Sequence, residues 1–292
     1  FAPIIQEHPD LYAVHTVAIK RAKKTKSLSL LLQTISKLRS LGEYDKIIDL
    51  QGLLKSAIVA RLIGKNIYGF DKESIREGLA SYFYQSHAHI PYEENSIWRS
   101  LVLVGEALDI SISKEMVEAK QPALFYKERD NVTQELLSAT QKNIAFVIGA
   151  SWSSKTYPRE NFVQLANQLD ANIILIWGTP SEKQEASLIA RASSHTRLAP
   201  KLTLPQLTAL IDTVDLVIGN DTGPTHIAWA MNIPSITLFG PTPAYKMMWE
   251  DKNHIAIESD SDVNPLRLNR SDMSIKDISP QLVFEKAKGL LS

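Results

Sequence analysis

Short, wholly apolar runs alternate with stretches of helical spacing along most of this chain, and that alternation predicts its elements. Residues 44–50 read as a strand, stopped by Gln51-Gly52 and followed by helical spacing over 53–62. A strand that enters a helix through a glycine turn is one step of a βαβ unit. Residues 66–69 read as another short strand, and 75–84 and 96–108 carry helical spacing. Polar residues then dominate 113–142, with Pro122 and the charged run Lys127-Glu128-Arg129-Asp130, and this stretch predicts a domain boundary near residues 125 and 126.

Beyond it the pattern is more regular. Apolar runs of strand length at 144–148, 172–177, 216–218 and 235–239 alternate with helices at 161–169, 181–192, 204–211 and 225–231. Runs apolar on both faces, separated by helices, call for a parallel sheet covered on each side, so the second half is predicted to be a Rossmann-like α/β domain. Ser279-Pro280 opens a last helix: a capping residue followed by proline at the first helical position.

Composition narrows the picture. With 292 residues, 44% hydrophobic and 22% charged, the chain suits two folded domains. No apolar run approaches the roughly 18 to 20 residues that cross a bilayer, and no secretory leader pattern is present, so a cytoplasmic protein is expected. There is no cysteine, which removes disulfides, thiol nucleophiles and Cys-based zinc sites. The net charge is zero, yet residues 1–40 hold seven Lys/Arg against two Asp/Glu. Lys20, Arg21, Lys23, Lys24 and Lys26 supply most of that excess, as a solvated loop or as a face for a phosphate-bearing partner. The chain opens on Phe1 without a strand to begin a domain, and a missing start is expected.

Ligands of open parallel sheets bind just beyond the carboxyl ends of the strands, which singles out four loops. Gly149 to Lys155 offers small and hydroxylated residues and one cation, a composition able to wrap an anion and equally that of a plain polar loop. In Gly178-Thr179-Pro180-Ser181-Glu182, Ser181 with Gln184 fits a capping box, and Glu182 is a first-turn acid or a ligand for ribose hydroxyls. Gly219-Asn220-Asp221-Thr222-Gly223-Pro224-Thr225-His226 runs from a strand straight into a helix N-terminus, a place suited to a diphosphate. Asp221 there caps the helix or accepts from sugar hydroxyls, and His226 donates to a phosphate or packs. Thr242, in Phe239-Gly240-Pro241-Thr242-Pro243, is placed to donate to the same ligand. No Asp-x-Asp pair follows a strand, and no metal or cofactor is expected.

The stretch from Gly219 to Pro243 resembles the donor-binding signature of the ADP-heptose lipopolysaccharide heptosyltransferases. Asp49-Leu50-Gln51-Gly52-Leu53-Leu54-Lys55-Ser56-Ala57 and Ser74-Ile75-Arg76-Glu77-Gly78-Leu79-Ala80 resemble those members that add the first heptose. The resemblance implies a GT-B fold: an acceptor-binding Rossmann-like domain over 1–125 lacking its first strand and helix, and a donor-binding one over 126–278. It also implies that the helix within 279–292 returns to the first domain. The implied reaction is inverting transfer of L-glycero-D-manno-heptose from ADP-heptose to Kdo of Kdo2-lipid A, at the cytoplasmic face of the inner membrane, with no nucleic acid involved. It places Ser151 and Lys155 on the phosphates, with Lys155 stabilising the leaving group, Glu182 on the ribose and Leu202 on the adenine. Asp221, Thr222, Gly223 and His226 fall on the diphosphate and heptose, and Lys55 and Arg76 on the acceptor side. The aspartate that serves the family as general base is expected upstream of Phe1. A departure is the first phosphate loop, where a Thr pair is common in the family and this chain has Ser151-Trp152 in a loop one residue shorter. The alternatives are a transferase of the second heptose with the same donor, a GT-B-like sugar-nucleotide epimerase, and a binding module without turnover.

Overall fold

In the computed structural model, residues 2–127 and 131–292 are described. Glu128, Arg129 and Asp130 of the predicted boundary, and the side chains of Lys20 and Lys23, lie outside that set. The chain divides into two compact units, one of His15–Val117 and one that joins the residues up to Val14 to Glu118–Ser292. The division thus falls eight residues before the expected boundary at 125 and 126. Lys120 and Ala123 explain the shift, because both bond to backbone carbonyls at Trp229 and Ala230, deep in the second half.

The smaller unit begins with helices α1 (Ile19–Thr25) and α2 (Leu28–Arg39). Strand β1 (Ile47–Ile48), helix α3 (Leu54–Ile63), β2 (Ile67–Phe70), β3 (Ser86–Ala88) and α4 (Ser96–Leu108) follow. The three strands are parallel, in the order β1-β2-β3. The basic stretch expected as a loop is largely helix α1, on which Arg21 and Lys24 are exposed. Helix α2, to which no element was assigned from sequence, is capped by Ser27, whose Oγ accepts from Leu30 N at 3.3 Å. The helix expected over 75–84 is instead a 3₁₀ segment, Gly78–Phe83. Its start is committed elsewhere: the Ser74 carbonyl accepts from the Arg99 guanidinium and the Ser74 hydroxyl from Ile90 N at 2.9 Å.

Short helices α5 (Lys114–Glu118) and α6 (Asn131–Gln134) precede the larger sheet. The larger unit then alternates β4 (Asn143–Val147), α7 (Arg159–Gln168), β5 (Asn172–Ile176), α8 (Pro180–Ala192), β6 (Thr196–Leu198) and α9 (Leu204–Ile211). It continues with β7 (Leu216–Asn220), α10 (Gly223–Ala230), β8 (Ser235–Phe239), α11 (Ala244–Met247), β9 (His254–Glu258) and α12 (Pro280–Leu291). All six strands are parallel, in the order β6-β5-β4-β7-β8-β9, so the chain winds outward from β4 and then returns to lay β7 against it. That reversal between β4 and β7 is the switch point at which such sheets open a crevice.

Every residue of β4, β5, β7 and β8 is buried, which is why these strands lack a polar face. Ile144, Phe146, Leu175 and Ile218 join Phe162, Leu165, Ile189 and Val283 in one core layer. Ala145, Val147, Ile174 and Val217 point the other way and pack with Leu207, Leu210, Ile227 and Ala228. Helix α12 belongs to the first of these layers through Val283 and Ala287 and lies against α7. Its apolar stripe, expected to return to the first domain, packs on the larger sheet through Val283 and Ala287.

Strands β4 and β7 meet at Val147 and Gly219, where a Cβ on the glycine would lie 2.5 Å from Val147 Cβ. Gly219→Ala is expected to force the central strands apart and to destabilise the larger unit by about 1 to 3 kcal/mol. Urea unfolding monitors this directly, and an unchanged midpoint would mean that the two strands are not in fixed contact.

Candidate functional site

The loops after β4 and β7 are fastened to each other by Asn220, the last residue of β7. Its amide nitrogen donates to the carbonyls of Ile148 (2.8 Å) and Gly149 (3.2 Å), and its Oδ1 accepts from Tyr157 N at 2.9 Å. Its own carbonyl accepts from Thr225 Oγ1 at 2.8 Å, which ties in the first turn of α10. Residues on both sides of the switch point are thus held in register by one buried amide. Sequence reasoning quoted Asn220 without giving it this part, since the partners of its side chain lie 63 and more positions away.

Next to it sits Asp221, 2% exposed, with three donors around its carboxylate. Lys155 Nζ and Thr242 Oγ1 donate to Oδ2, the latter at 2.9 Å, and His226 Nε2 lies 2.9 Å from Oδ1. Lys155 is itself 5% exposed, brought in by the 3₁₀ turn Ser153–Lys155. Burial would raise the Asp221 pKa, but the His226 hydrogen bond and the Lys155 charge outweigh it and hold the group at about 2, below its ordinary 3.8. Asp221 therefore stays ionised, and the N-cap of α10 is Thr222 and not Asp221. Thr242, singled out in the sequence for the loop after β8, is thus joined to Asp221.

Ser151, Glu182, Leu202 and Thr222 line one cavity of about 360 Å³, together with Val147, Ile176 and Leu207. Its walls are apolar between Leu202, Leu204 and Trp177, and polar towards Ser151 and Thr222. Helix α8 is capped by Thr179, whose Oγ1 accepts from Glu182 N at 3.3 Å, so the box falls on Thr179 and Glu182 and not on Ser181 and Gln184. Glu182 Oε2 accepts from Gly178 N at 2.7 Å and Thr179 N at 3.0 Å. The carboxylate lies directly over Gly149, where an added Cβ would be 2.5 Å from Glu182 Cδ. Thr222 is the N-cap of α10 and makes no side-chain cap bond, and Pro224 at the second helical position brings no N–H of its own.

At the other end of α10, Lys120 Nζ takes the carbonyls of Trp229 (2.6 Å) and Ala230 (3.3 Å). A cation at a helix C-terminus is favourable to the dipole, so both ends of this short helix are specified.

In the smaller unit Lys55 and Arg76 are exposed and stand on two segments joined by Leu54 N donating to Glu77 Oε2 at 2.8 Å. Gly52 turns the chain into α3 at φ +61°, a conformation that favours glycine, and its Cβ position lies 2.8 Å from Ile75 Cγ2. Lys55 lines a cavity of about 400 Å³ with Asp49, Gln51 and Ser56. Asp49 is buried and organises this turn, accepting from Ser56 Oγ at 2.8 Å, Tyr84 OH at 2.7 Å and Gln51 N at 3.0 Å. Among the described residues Asp71, Glu73 and His89 bring metal-binding atoms within 4.8 Å of one another on this unit's surface, a grouping common without a metal.

The larger unit is a doubly wound sheet with a buried cation at its switch point, and the smaller one is a second parallel α/β unit, the two folded parts that a glycosyltransferase of the GT-B class contains. The sequence matches glycosyltransferase family 9 (heptosyltransferase) over residues 33–267, and the chain belongs to that family. It is 32% identical to lipopolysaccharide heptosyltransferase 1 of Campylobacter coli, over 99% of this chain and 87% of that protein. It is 28% identical to lipopolysaccharide heptosyltransferase 1 of Escherichia coli K12, over 83% of this chain and 76% of that one. The solved E. coli heptosyltransferase WaaC with ADP-2-deoxy-2-fluoro heptose superposes with a TM-score of 0.77 at 25% identity, covering 99% and 86% of the two chains.

The depressed pKa of Asp221 makes its contribution present above about pH 4 and lost as pH falls through about 2. Asp221→Asn leaves Lys155 buried without a countercharge and is expected to be less stable at pH 7 by about 3 to 5 kcal/mol. The gap to the wild type narrows between pH 4 and 2, on the order of 2 kcal/mol, because only the wild type loses a paired carboxylate there. Denaturant midpoints across that range check it, and a gap independent of pH would contradict the assignment.

Proposed function

We propose that this chain transfers L-glycero-D-manno-heptose from ADP-heptose to a Kdo hydroxyl of Kdo2-lipid A, with inversion. The observation that carries this reading is the buried Lys155–Asp221–His226 cluster in the loops after β4 and β7, whose neighbours in those loops, Ser151, Thr222 and Pro224 at the α10 N-terminus, line a cavity that is apolar at Leu202, Leu204 and Trp177. Leu202 packs on the adenine, Glu182 offers a carboxylate oxygen to the ribose, and Ser151, Thr222 and Gly223 donate to the diphosphate. An ammonium has three N–H groups, so Lys155 holds Asp221 and a phosphate oxygen together. The anomeric carbon undergoes one in-line displacement, and the negative charge that builds on departing ADP is met by donors already in place. Preorganised donors of this kind lower the barrier more than they tighten substrate binding.

Lys55 and Arg76 carry the acceptor side, where Kdo and the lipid A phosphates bring negative charge. Among the described residues no helix is long and apolar enough to cross a membrane. A lipid-linked acceptor brings the protein to the cytoplasmic face of the inner membrane from outside, and exposed Arg21, Lys24 and Lys26 suit that surface.

An ADP-release assay with ADP-heptose tests the reading. Release that depends on Kdo2-lipid A and persists in excess EDTA is expected; release only with an already heptosylated acceptor would point to the second transfer. Consumption of donor without any acceptor would point to an epimerase. Lys155→Ala is expected to lower turnover at least about tenfold, the scale of losing a charged donor to the leaving group; unchanged turnover would remove Lys155 from the mechanism.

A further inference from the structure

The charge at the donor site does not match its proposed ligand. Lys155, the cation buried there, already faces Asp221, and His226 lies on the other oxygen of the same carboxylate. A diphosphate entering that cluster meets little net positive charge from these residues. The α10 N–H groups contribute only partial charges.

A second cation stands nearby. Arg270, in the segment between β9 and α12, puts its guanidinium carbon 4.8 Å from the centroid of the Trp152 ring, and Lys155 Nζ lies 5.0 Å from that same centroid. Both distances are within the range of cation–π attraction, and they leave the two cations no more than about 10 Å apart. Trp152 Nε1 is buried without a hydrogen-bond partner, so the indole is held by packing and by its two cations. Arg270 is exposed and, among the described residues, makes no hydrogen bond or ion pair that would spend its donors.

The segment carrying Arg270 is anchored to the site. Ser259 and Ser274 share a hydroxyl hydrogen bond of 2.7 Å, and Asp272 accepts from Ser261 Oγ and from Ser274 N at 2.9 Å. Buried Ile275 lies against Gly240, where a Cβ would stand 2.8 Å from Ile275 Cβ and 3.2 Å from the Ser154 carbonyl. The loops after β4, β8 and β9 therefore meet at this point, and Arg270 leaves their junction on the side of Trp152.

We propose that Arg270, seated on Trp152, is a second cationic contact to the diphosphate of the nucleotide donor, supplying the charge that Asp221 takes from Lys155. The inference rests on the reading of the site as a nucleotide-sugar site. A guanidinium suits the position better than an ammonium: it stacks on an aromatic face through its plane and presents N–H groups in pairs to phosphate oxygens.

Calorimetric titration of ADP and of adenosine into the full chain and its variants decides it. Arg270→Ala is expected to weaken ADP by about tenfold or more, the scale of one charged hydrogen-bonded contact, and to leave adenosine within about twofold. Arg270→Lys restores part of the loss, and Trp152→Leu, which keeps the arginine but removes its seat, reproduces part of it. The wild type loses more ADP affinity than Arg270→Ala as salt is raised. ADP binding within about twofold of wild type in Arg270→Ala, or an equal loss for adenosine, overturns the proposal and leaves the nucleotide-sugar reading standing. Failure of the wild type to bind ADP at all overturns both. Thermal melts of each variant separate loss of binding from loss of fold.

Discussion

The buried contact between Lys155 and Asp221 is the constraint on which the larger unit's site depends. Two charges out of water are tolerable only when each is paired and its remaining bonding capacity is used. Here Thr242 and His226 complete the carboxylate, so loops after β4, β7 and β8 and the first turn of α10 are committed to a single arrangement. Asn220 makes the same commitment through the backbone, one residue away. Two of these loops, after β4 and β7, supply Ser151 and Thr222 to the cavity that Glu182 and Leu202 also line.

Under the proposed function that arrangement also resolves an apparent contradiction in a site for an anion. A carboxylate at a phosphate site is repulsive if it is free, but Asp221 faces inward and shows its charge to Lys155. It holds the lysine at one position, at the cost of cancelling part of its field. Catalysis by stabilising a leaving group needs a donor that is in place before charge develops, and an immobilised ammonium meets that need better than a mobile one.

Much of the larger unit was legible in the sequence, for a physical reason: a parallel sheet covered on both sides leaves strands without polar faces, and 144–148, 172–177 and 235–239 stand out on that ground. The same topology puts ligands at strand ends, which made Lys155, Asp221 and His226 recognisable before their contacts were. Short elements carried less signal. β6 has three residues with an exposed arginine at its centre, and β9 is half-buried, so neither shows a continuous apolar run. The roles of Asn220 and Thr242, and the destination of α12, are set by partners far along the chain. A polar residue whose partner is distant looks the same in sequence as one that faces water.

Helix α10 has eight residues, with the cavity at one end and Lys120 at the other. A rod of two turns is too short to take up a displacement internally. Lys120 lies just beyond Val117, where the chain passes from one unit to the other. In a helix this short the two ends keep a fixed spacing, so the grip of Lys120 on the carbonyls of Trp229 and Ala230 also bears on where the first turn stands beside Asp221.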